Sequence, residues 1–312
     1  MTSAGAEVAA RMSAAFASIS DGTGNAAEVR ASLKASRKPP KPVAVEWVEN
    51  RCIPGAEGAA TLPVRIYHPA DAEPGPAGLP VLVYFHGGGF VLCDLDSHDS
   101  CCRRLANGVG AVVVSVDYRL APEFPFPAAV DDAWAAVEWV AAHVGELGAD
   151  PARLVVAGDS AGGNLAAVVA QMAQDSRDFA VALQVLIYPM TDQSRAYPSY
   201  ERNASGYMLT TAALHWFMDN YVPDLSDRKD PLASPMLRKS LQGLPPALVI
   251  SAEFDPLVDE NQAYAKNLQE AGVETDYVCF PGMIHPFFTL GGVVEDSAKA
   301  EALVASALRK LA

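Results

Sequence analysis

A chain of 312 residues, half of them hydrophobic and 19% charged, buries a sizeable core and is not a disordered protein. Lys and Arg total 23 against 37 Asp and Glu, and the net charge of -14 argues against nucleic acid and anionic membrane surfaces as partners. Cys52, Cys93, Cys101, Cys102 and Cys279 form an odd set with no CxxC and no metal-ligand spacing, so they read as free, mostly buried thiols of a reducing compartment. The chain does not open on a basic head followed by an apolar stretch, and no apolar run approaches about 18 residues. A cytoplasmic protein without signal or membrane anchor is expected.

Residues 1–36 are alanine-rich, with Val8, Met12, Phe16 and Ile19 at helical spacing, which predicts one or two short helices docked on the protein. Residues 34–42, with Pro39-Pro40 and four basic side chains, read as an extended linker. Strand-like runs at 43–52 and 62–68 flank the turn former Pro54-Gly55-Ala56-Glu57-Gly58 and predict an antiparallel pair at a sheet edge. After a surface loop at 74–80, the unbroken apolar run 81–85 predicts a strand covered on both faces. Strands follow at 111–116, 154–157, 183–188, 247–252 and 275–280, alternating with helices near 97–108, 128–144, 161–174, 258–271 and 294–311. This rhythm predicts an α/β protein with an eight-stranded, mostly parallel sheet and helices on both faces. Only residues 189–244 break it: aromatic and strandless, they are longer than a connection requires and suit a helical lid.

The chemistry centres on Gly158-Asp159-Ser160-Ala161-Gly162-Gly163, between a strand and a helix. A strand, tight turn and helix there put Ser160 at the apex, with Gly158 and Gly162 where a Cβ would clash; this is the nucleophile elbow pattern of α/β-hydrolases. His86-Gly87-Gly88-Gly89-Phe90 follows the strand at 81–85, and three consecutive glycines there suit backbone N–H groups converging on an oxyanion. Gly88, Gly89 and Ala161 are the candidate donors, and His86 reads as a loop brace. A serine nucleophile needs a base and the base an orienting carboxylate. After Ser160 the chain has only His215 and His285; His215 falls in the proposed lid, whereas His285 lies in a Pro- and Gly-flanked loop past the last strand. Asp255 follows the strand at 247–252; Glu253 comes too soon after that strand, and Asp259 falls in the next helix, where a carboxylate favours the dipole anyway. The order Ser160, Asp255, His285 results. Asp159 reads as ordering the loops around the elbow, the Asp117-Tyr118-Arg119 run as pinning a turn by a buried ion pair, and Asp131 and Asp132 as helix-start or packing carboxylates. His98 and His143 have no visible cluster and read as surface or otherwise satisfied residues.

His86-Gly87-Gly88-Gly89, Gly158-Asp159-Ser160-Ala161-Gly162-Gly163, Asp255-Pro256-Leu257, the His285 loop and Asp117-Tyr118-Arg119-Leu120-Ala121-Pro122-Glu123 resemble the hormone-sensitive-lipase-like esterases (bacterial family IV) of the α/β-hydrolase superfamily, in the branch with aspartate before the serine. The resemblance covers roughly residues 40–310. It implies an α/β-hydrolase fold with a helical cap made of residues 1–42 and 189–244 on a catalytic domain of residues 43–188 and 245–312. It further implies no metal or cofactor, short- to medium-chain acyl esters as substrates, and homodimers formed through the last strand and helix. The expectation is a serine carboxylesterase, with Phe90, Met208, Leu209 and Phe287 as candidates for lining the substrate pocket. An amidase or deacetylase would use the same residues, and the sequence does not separate them. A non-catalytic small-molecule receptor on this scaffold is the rival from another class, and the retained His285 weighs against it.

Overall fold

Apolar runs too long for one covered face need helices on both sides of a sheet, and the chain supplies them. The computed structural model describes residues 19, 24–37, 43–70, 72 and 78–311. Its eight strands are β1 Trp47–Pro54, β2 Thr61–His68, β3 Leu79–Phe85, β4 Val112–Val116, β5 Ala149–Asp159, β6 Leu183–Ile187, β7 Ala247–Phe254 and β8 Thr275–Ile284. They lie in the order β1-β2-β4-β3-β5-β6-β7-β8. Both neighbours of β2 run antiparallel to it and every other pairing is parallel. The eight-stranded, mostly parallel sheet expected from the sequence is therefore present, with the antiparallel pair at one edge.

Strand alternation divides the core in two. Val81, Val83, Phe85, Val114 and Val156 point to one face, which α3 (Ala128–His143), α4 (Ala161–Ser176) and α7 (Val258–Glu270) cover. Leu82, Tyr84, Val113, Val155 and Ile250 point to the other, under α2 (Leu95–Val109) and α8 (Glu295–Arg309). Each fully buried Val or Leu contributes about 1.5–3 kcal/mol relative to exposure, so this two-sided core is the main stabilising term. Asp94 and Ser97 start α2 with a reciprocal capping box. Arg104 of α2 donates to Glu301 of α8 at 2.7 Å, joining the two helices on that face.

The remaining helices gather above the C-terminal ends of the strands. They are α1 (Ala26–Ser36), α5 (Pro198–Arg202) and α6 (Thr211–Tyr221). The Trp216 indole donates to the Gly24 carbonyl at 3.1 Å, and Arg30 donates to the carbonyls of Val91 and Ala121 at 3.1 and 3.3 Å. The N-terminal segment is thus tied both to α6 and to the loops leaving the sheet.

Several boundaries differ from those read in the sequence. Lys34 is helical, because α1 runs to Ser36; residues 38–42 of the expected linker, like Val8, Met12 and Phe16, lie outside the described residues. Leu79 and Pro80 belong to β3 rather than to the preceding loop. β8 continues through Pro281-Gly282, which an edge strand tolerates, and resumes pairing at Phe254–Ile284 after an irregularity. Cys101 and Cys102 are buried as expected, but Cys52 and Cys279 are exposed because they sit on the two edge strands.

The turn after β4 is held by the ion pair that the Asp117-Tyr118-Arg119 run suggested, with Asp132 as the partner. Asp132, fully buried in α3, accepts the Arg119 backbone N–H at 2.9 Å and a two-pronged guanidinium contact at 2.9 Å. Replacing Asp132 with alanine leaves a half-buried guanidinium and a backbone N–H without their acceptor. Asp132→Ala is expected to lower the unfolding free energy by about 3 kcal/mol, measured by denaturant titration.

Candidate active site

Ser160 sits at the junction of β5 and α4 with φ 57° and ψ -116°, a conformation that a side chain rarely adopts. Its backbone N–H donates to the Ile187 carbonyl at 2.8 Å, which fixes the turn against the end of β6. The close approach anticipated at Gly162 is real: a Cβ there would run into the Phe85 carbonyl at the end of β3. The turn therefore presses the serine out beyond the strand ends while its backbone stays locked to two neighbouring strands.

His285 follows β8 directly, and Glu253 sets its approach by accepting the Gly282 N–H at 2.7 Å. The His285 ring lies 2.9 Å from Ser160 Oγ through Nε2 and 2.6 Å from Asp255 Oδ2 through Nδ1. A carboxylate only accepts, so Nδ1 carries the proton and Nε2 presents its lone pair to the serine hydroxyl. Asp255 is fully buried and its other oxygen accepts the Leu257 N–H at 2.9 Å, so the carboxylate is held on both sides. The Tyr188 ring packs beside the imidazole with centroids 4.5 Å apart. Of the competitors, Asp259 is ion-paired to Arg202 and Glu253 is engaged with Gly282, while His215 is exposed on α6.

The glycine loop lies alongside. Gly88, with φ 114°, adopts a backbone that only glycine takes without strain, and its carbonyl accepts from Val91 and Leu92 N–H at 3.1 and 2.8 Å. The N–H groups of Gly88 and Gly89 donate to no described residue, and Ala161, as the first residue of α4, has no intrahelical acceptor for its own. His86 braces the loop: its Nδ1–H donates to the Gly87 carbonyl at 2.7 Å, and its own carbonyl accepts the Tyr118 hydroxyl at 2.7 Å. Burial, together with the nearby His98, pushes the His86 imidazole down to about 4, so it is a neutral strut at neutral pH.

Ser160, His285 and the glycine loop open into a cavity of about 140 Å³. Met208 and Leu209 line it, and so do Leu92, Met190, Leu214 and Phe217, which sequence reasoning did not pick out. The last two stand one helical turn apart on α6, an amphipathic spacing that was visible but could not be aimed without the fold. Phe90 and Phe287 do not line the cavity, contrary to expectation. Phe90 stacks on Tyr221 with centroids 3.6 Å apart, and Phe287 is fully buried against Phe280 and Tyr188. Cys93 also reaches the wall, but burial pushes its thiol up to about 12, which leaves it neutral.

His98 and His143 are both satisfied residues, as expected, but His98 does not stand alone: it is buried, lines the same cavity beside His86 and pairs with Asp159 at 3.2 Å, whereas His143 stacks on Trp139 and bonds that residue's carbonyl. Among the described residues no group of three or more His, Cys, Asp or Glu is arranged to hold a metal.

Glu260, buried on α7, ties the helix after Asp255 to the loop after β6. It accepts the Asp192 N–H at 2.9 Å, the Tyr200 hydroxyl at 3.0 Å, the Thr191 hydroxyl at 3.0 Å and the Thr191 N–H. Burial outweighs these donors and pushes the Glu260 carboxyl up to about 8. A folded-state value above the unfolded one means that the native state retains a proton that the unfolded chain releases. Stability therefore falls as pH rises from about 4.5 to about 8 and is level above that. Glu260→Gln is expected to remove this component, of up to ~1.4 kcal/mol per pH unit, when unfolding free energies of variant and wild type are compared across that window.

Known proteins are similar to this chain in sequence and fold. A family model described as the alpha/beta hydrolase fold matches residues 82–289. The chain is 43% identical over 251 residues to an ethyl acetate hydrolase of Pseudomonas putida, covering 80% of this chain and 79% of that one. It is 42% identical over 284 residues to carboxylesterase NlhH of Mycobacterium tuberculosis, covering 90% and 88%. Among solved structures it superposes on an ester hydrolase from the metagenome of Lake Arreo, complexed with a bipyridine phosphonate derivative, with a TM-score of 0.90, 41% identity and coverage of 99% and 98%.

Proposed function

The chain belongs to the α/β-hydrolase fold family, within its hormone-sensitive-lipase-like esterases, and on that footing we propose that it is a serine carboxylesterase acting on short- to medium-chain acyl esters. The observation that carries this reading is the continuous chain from Ser160 Oγ to His285 at 2.9 Å and on to Asp255 at 2.6 Å, opening into an apolar cavity beside glycine N–H groups. In the proposed cycle His285 Nε2 takes the serine proton as Oγ bonds to the ester carbonyl carbon, and the carbonyl electron pair moves onto oxygen. The N–H groups of Gly88, Gly89 and Ala161 stabilise that oxyanion, each worth roughly 3–4 kcal/mol in comparable sites. The oxyanion collapses, the carbon–oxygen bond to the alcohol breaks, and His285 returns the proton to the leaving oxygen. Water then attacks the acyl-enzyme by the same route, releasing the carboxylic acid and restoring the serine. Asp255 holds the useful tautomer and stabilises the imidazolium without taking its proton.

Residues 1–42 and 189–244 act together as the cap in this reading, supported by the Trp216–Gly24 hydrogen bond and by the position of Met208, Leu209, Leu214 and Phe217 over the serine. The volume of about 140 Å³ suits a chain of a few carbons. A homodimer through β8 and α8 belongs to the same reading, because β8 is an open edge of the sheet. Cytoplasmic placement is supported by five free cysteines, and no helix among the described residues is long and apolar enough to cross a membrane.

Hydrolysis of a p-nitrophenyl ester series from short to long acyl chains, with wild type and Ser160→Ala side by side, tests the proposal. Turnover is expected to peak at short or medium chains and to fall by roughly 10⁴–10⁶ in the variant. Wild-type turnover no faster than the variant's would overturn the assignment. Leu214→Ala, which shortens a wall residue, is expected to move the optimum toward longer chains in the same series.

A further inference from the structure

Asp159 is the residue immediately before Ser160, yet its side chain serves the other half of the site. Its Oδ1 accepts the backbone N–H of Gly87 at 3.0 Å and the Tyr84 hydroxyl at 2.7 Å. Gly87 adjoins the two glycines proposed as oxyanion donors, and a Cβ on Gly87 would collide with the Asp159 carboxylate, so the loop rests directly on it. One carboxylate therefore couples the elbow to the oxyanion loop.

Such a coupling carries an electrostatic cost. Asp159 is 5% exposed and lines the cavity, so an uncompensated negative charge there would repel the negative charge that develops on the ester oxygen beside it. His98 is the group placed against that carboxylate. Ser97 Oγ donates its single proton to the Asp94 carbonyl at 2.6 Å and accepts the Asp94 N–H at 2.9 Å. The His98 Nδ1 atom lies 2.9 Å from the same Oγ, whose proton is engaged by the Asp94 carbonyl, so Nδ1 is placed to donate there. The His98 Nε2 atom faces Asp159 at 3.2 Å, where the partner only accepts. Both ring nitrogens of His98 thus face oxygen atoms, Nδ1 the Ser97 hydroxyl and Nε2 the Asp159 carboxylate. The neighbouring His86 ring, 5.5 Å away between centroids, is neutral and does not compete for the carboxylate. Burial by itself would raise the Asp159 carboxyl, but the His98 charge and the hydrogen bonds from His98 and Tyr84 outweigh it and hold Asp159 below its ordinary value.

We propose that His98 is a positioning residue for ester hydrolysis: as an imidazolium paired with Asp159 it neutralises the carboxylate that fastens the oxyanion loop to the nucleophile elbow. The proposal rests on the serine esterase reading of the same site. It assigns to α2, otherwise a covering helix, the task of keeping the floor of the cavity electrically neutral while the loop is held in place.

The experiment compares wild type, His98→Gln, Asp159→Asn and the double variant on one short p-nitrophenyl ester. It measures kcat, KM, inhibition by a trifluoromethyl ketone that forms an oxyanion-bearing adduct with serine, and thermal melting. His98→Gln leaves a buried carboxylate facing a neutral partner. It is expected to lower kcat by about 10–100-fold with KM within about twofold, and to weaken the ketone by a similar factor. Adding Asp159→Asn removes the stranded charge and is expected to recover at least about threefold of the lost kcat, which a purely structural role of His98 would not produce. A His98→Gln enzyme within twofold of wild-type kcat, or a double variant no better than that single variant, would overturn the proposal. If His98→Gln does not melt cooperatively, His98→Asn carries the same expectation with a smaller side chain. A Ser160→Ala control separates the two levels: wild type no faster than that control sinks the esterase reading, whereas an active wild type indifferent to His98 sinks only this inference.

Discussion

The site depends on one steric fact: at the end of β5 the chain turns into α4 with no room between Gly162 and the Phe85 carbonyl. Beside that contact Ser160 adopts φ 57°, a strain worth about 1–3 kcal/mol that the surroundings must hold in place. They do so from two directions. Phe85 pairs with Gly158 across β3 and β5, Asp159 pairs with Ile187 across β5 and β6, and α4 is buried from Ala161 through Gln171. The strain is thus offset by the buried C-terminal half of β5 and by a helix buried along its first eleven residues, and the serine inherits their rigidity.

Everything else in the site is placed by the same sheet register. The glycine loop leaves β3, the serine leaves β5, Asp255 leaves β7 and His285 leaves β8, all at the C-terminal ends of parallel strands. Neighbouring parallel strands bring these loops within a few ångströms, while the groups are separated by 30 residues for His285 and Asp255 and 125 for His285 and Ser160. Buried polar anchors then set the last ångström. Glu260 gathers Thr191, Asp192 and Tyr200, Asp132 gathers the Arg119 turn, and Asn203 donates to the Asp255 carbonyl at 2.9 Å. A hydrogen bond in a low-dielectric interior is strong enough to locate a loop, and an unmet partner there is costly, so these groups act as fixed points rather than as general glue.

The sequence was readable where structure is written locally. The apolar runs of β3 to β7, the Gly158–Gly162 elbow and the three glycines after His86 carry their meaning within a few residues. Ser160, Asp255 and His285 could be named because each follows a recognisable strand. Legibility failed where meaning depends on a distant partner. His98 looked isolated because its carboxylate lies 61 residues away, and Arg119 could be given an ion pair but not the partner 13 residues on. Phe90 and Phe287 stand next to functional motifs and were aimed at the cavity, but a residue beside a sharp turn points away from its neighbour as often as with it. Both ended in the core. The open edge of β8 misled in the opposite sense: Pro281-Gly282 reads as a break, yet an edge strand has one side that needs no ladder partner.

The charges of the site follow one logic. The chain is strongly acidic, and carboxylates stand near the serine, where unanswered negative charge opposes an oxyanion. Each is answered by a named partner: Asp255 by the His285 N–H, Asp159 by His98 and Tyr84, Asp192 by Arg195. Glu260 is answered differently, by retaining its proton up to about pH 8. The backbone donors of the glycine loop then face a cavity whose walls are apolar and whose buried charges are paired. In such surroundings a few N–H dipoles meet little competition from fixed negative charge or from water, and their stabilisation of a developing oxyanion is correspondingly large. Neutralising the floor and orienting the loop are thus one structural problem, and placing Asp159 between Gly87 and His98 meets both demands with a single side chain.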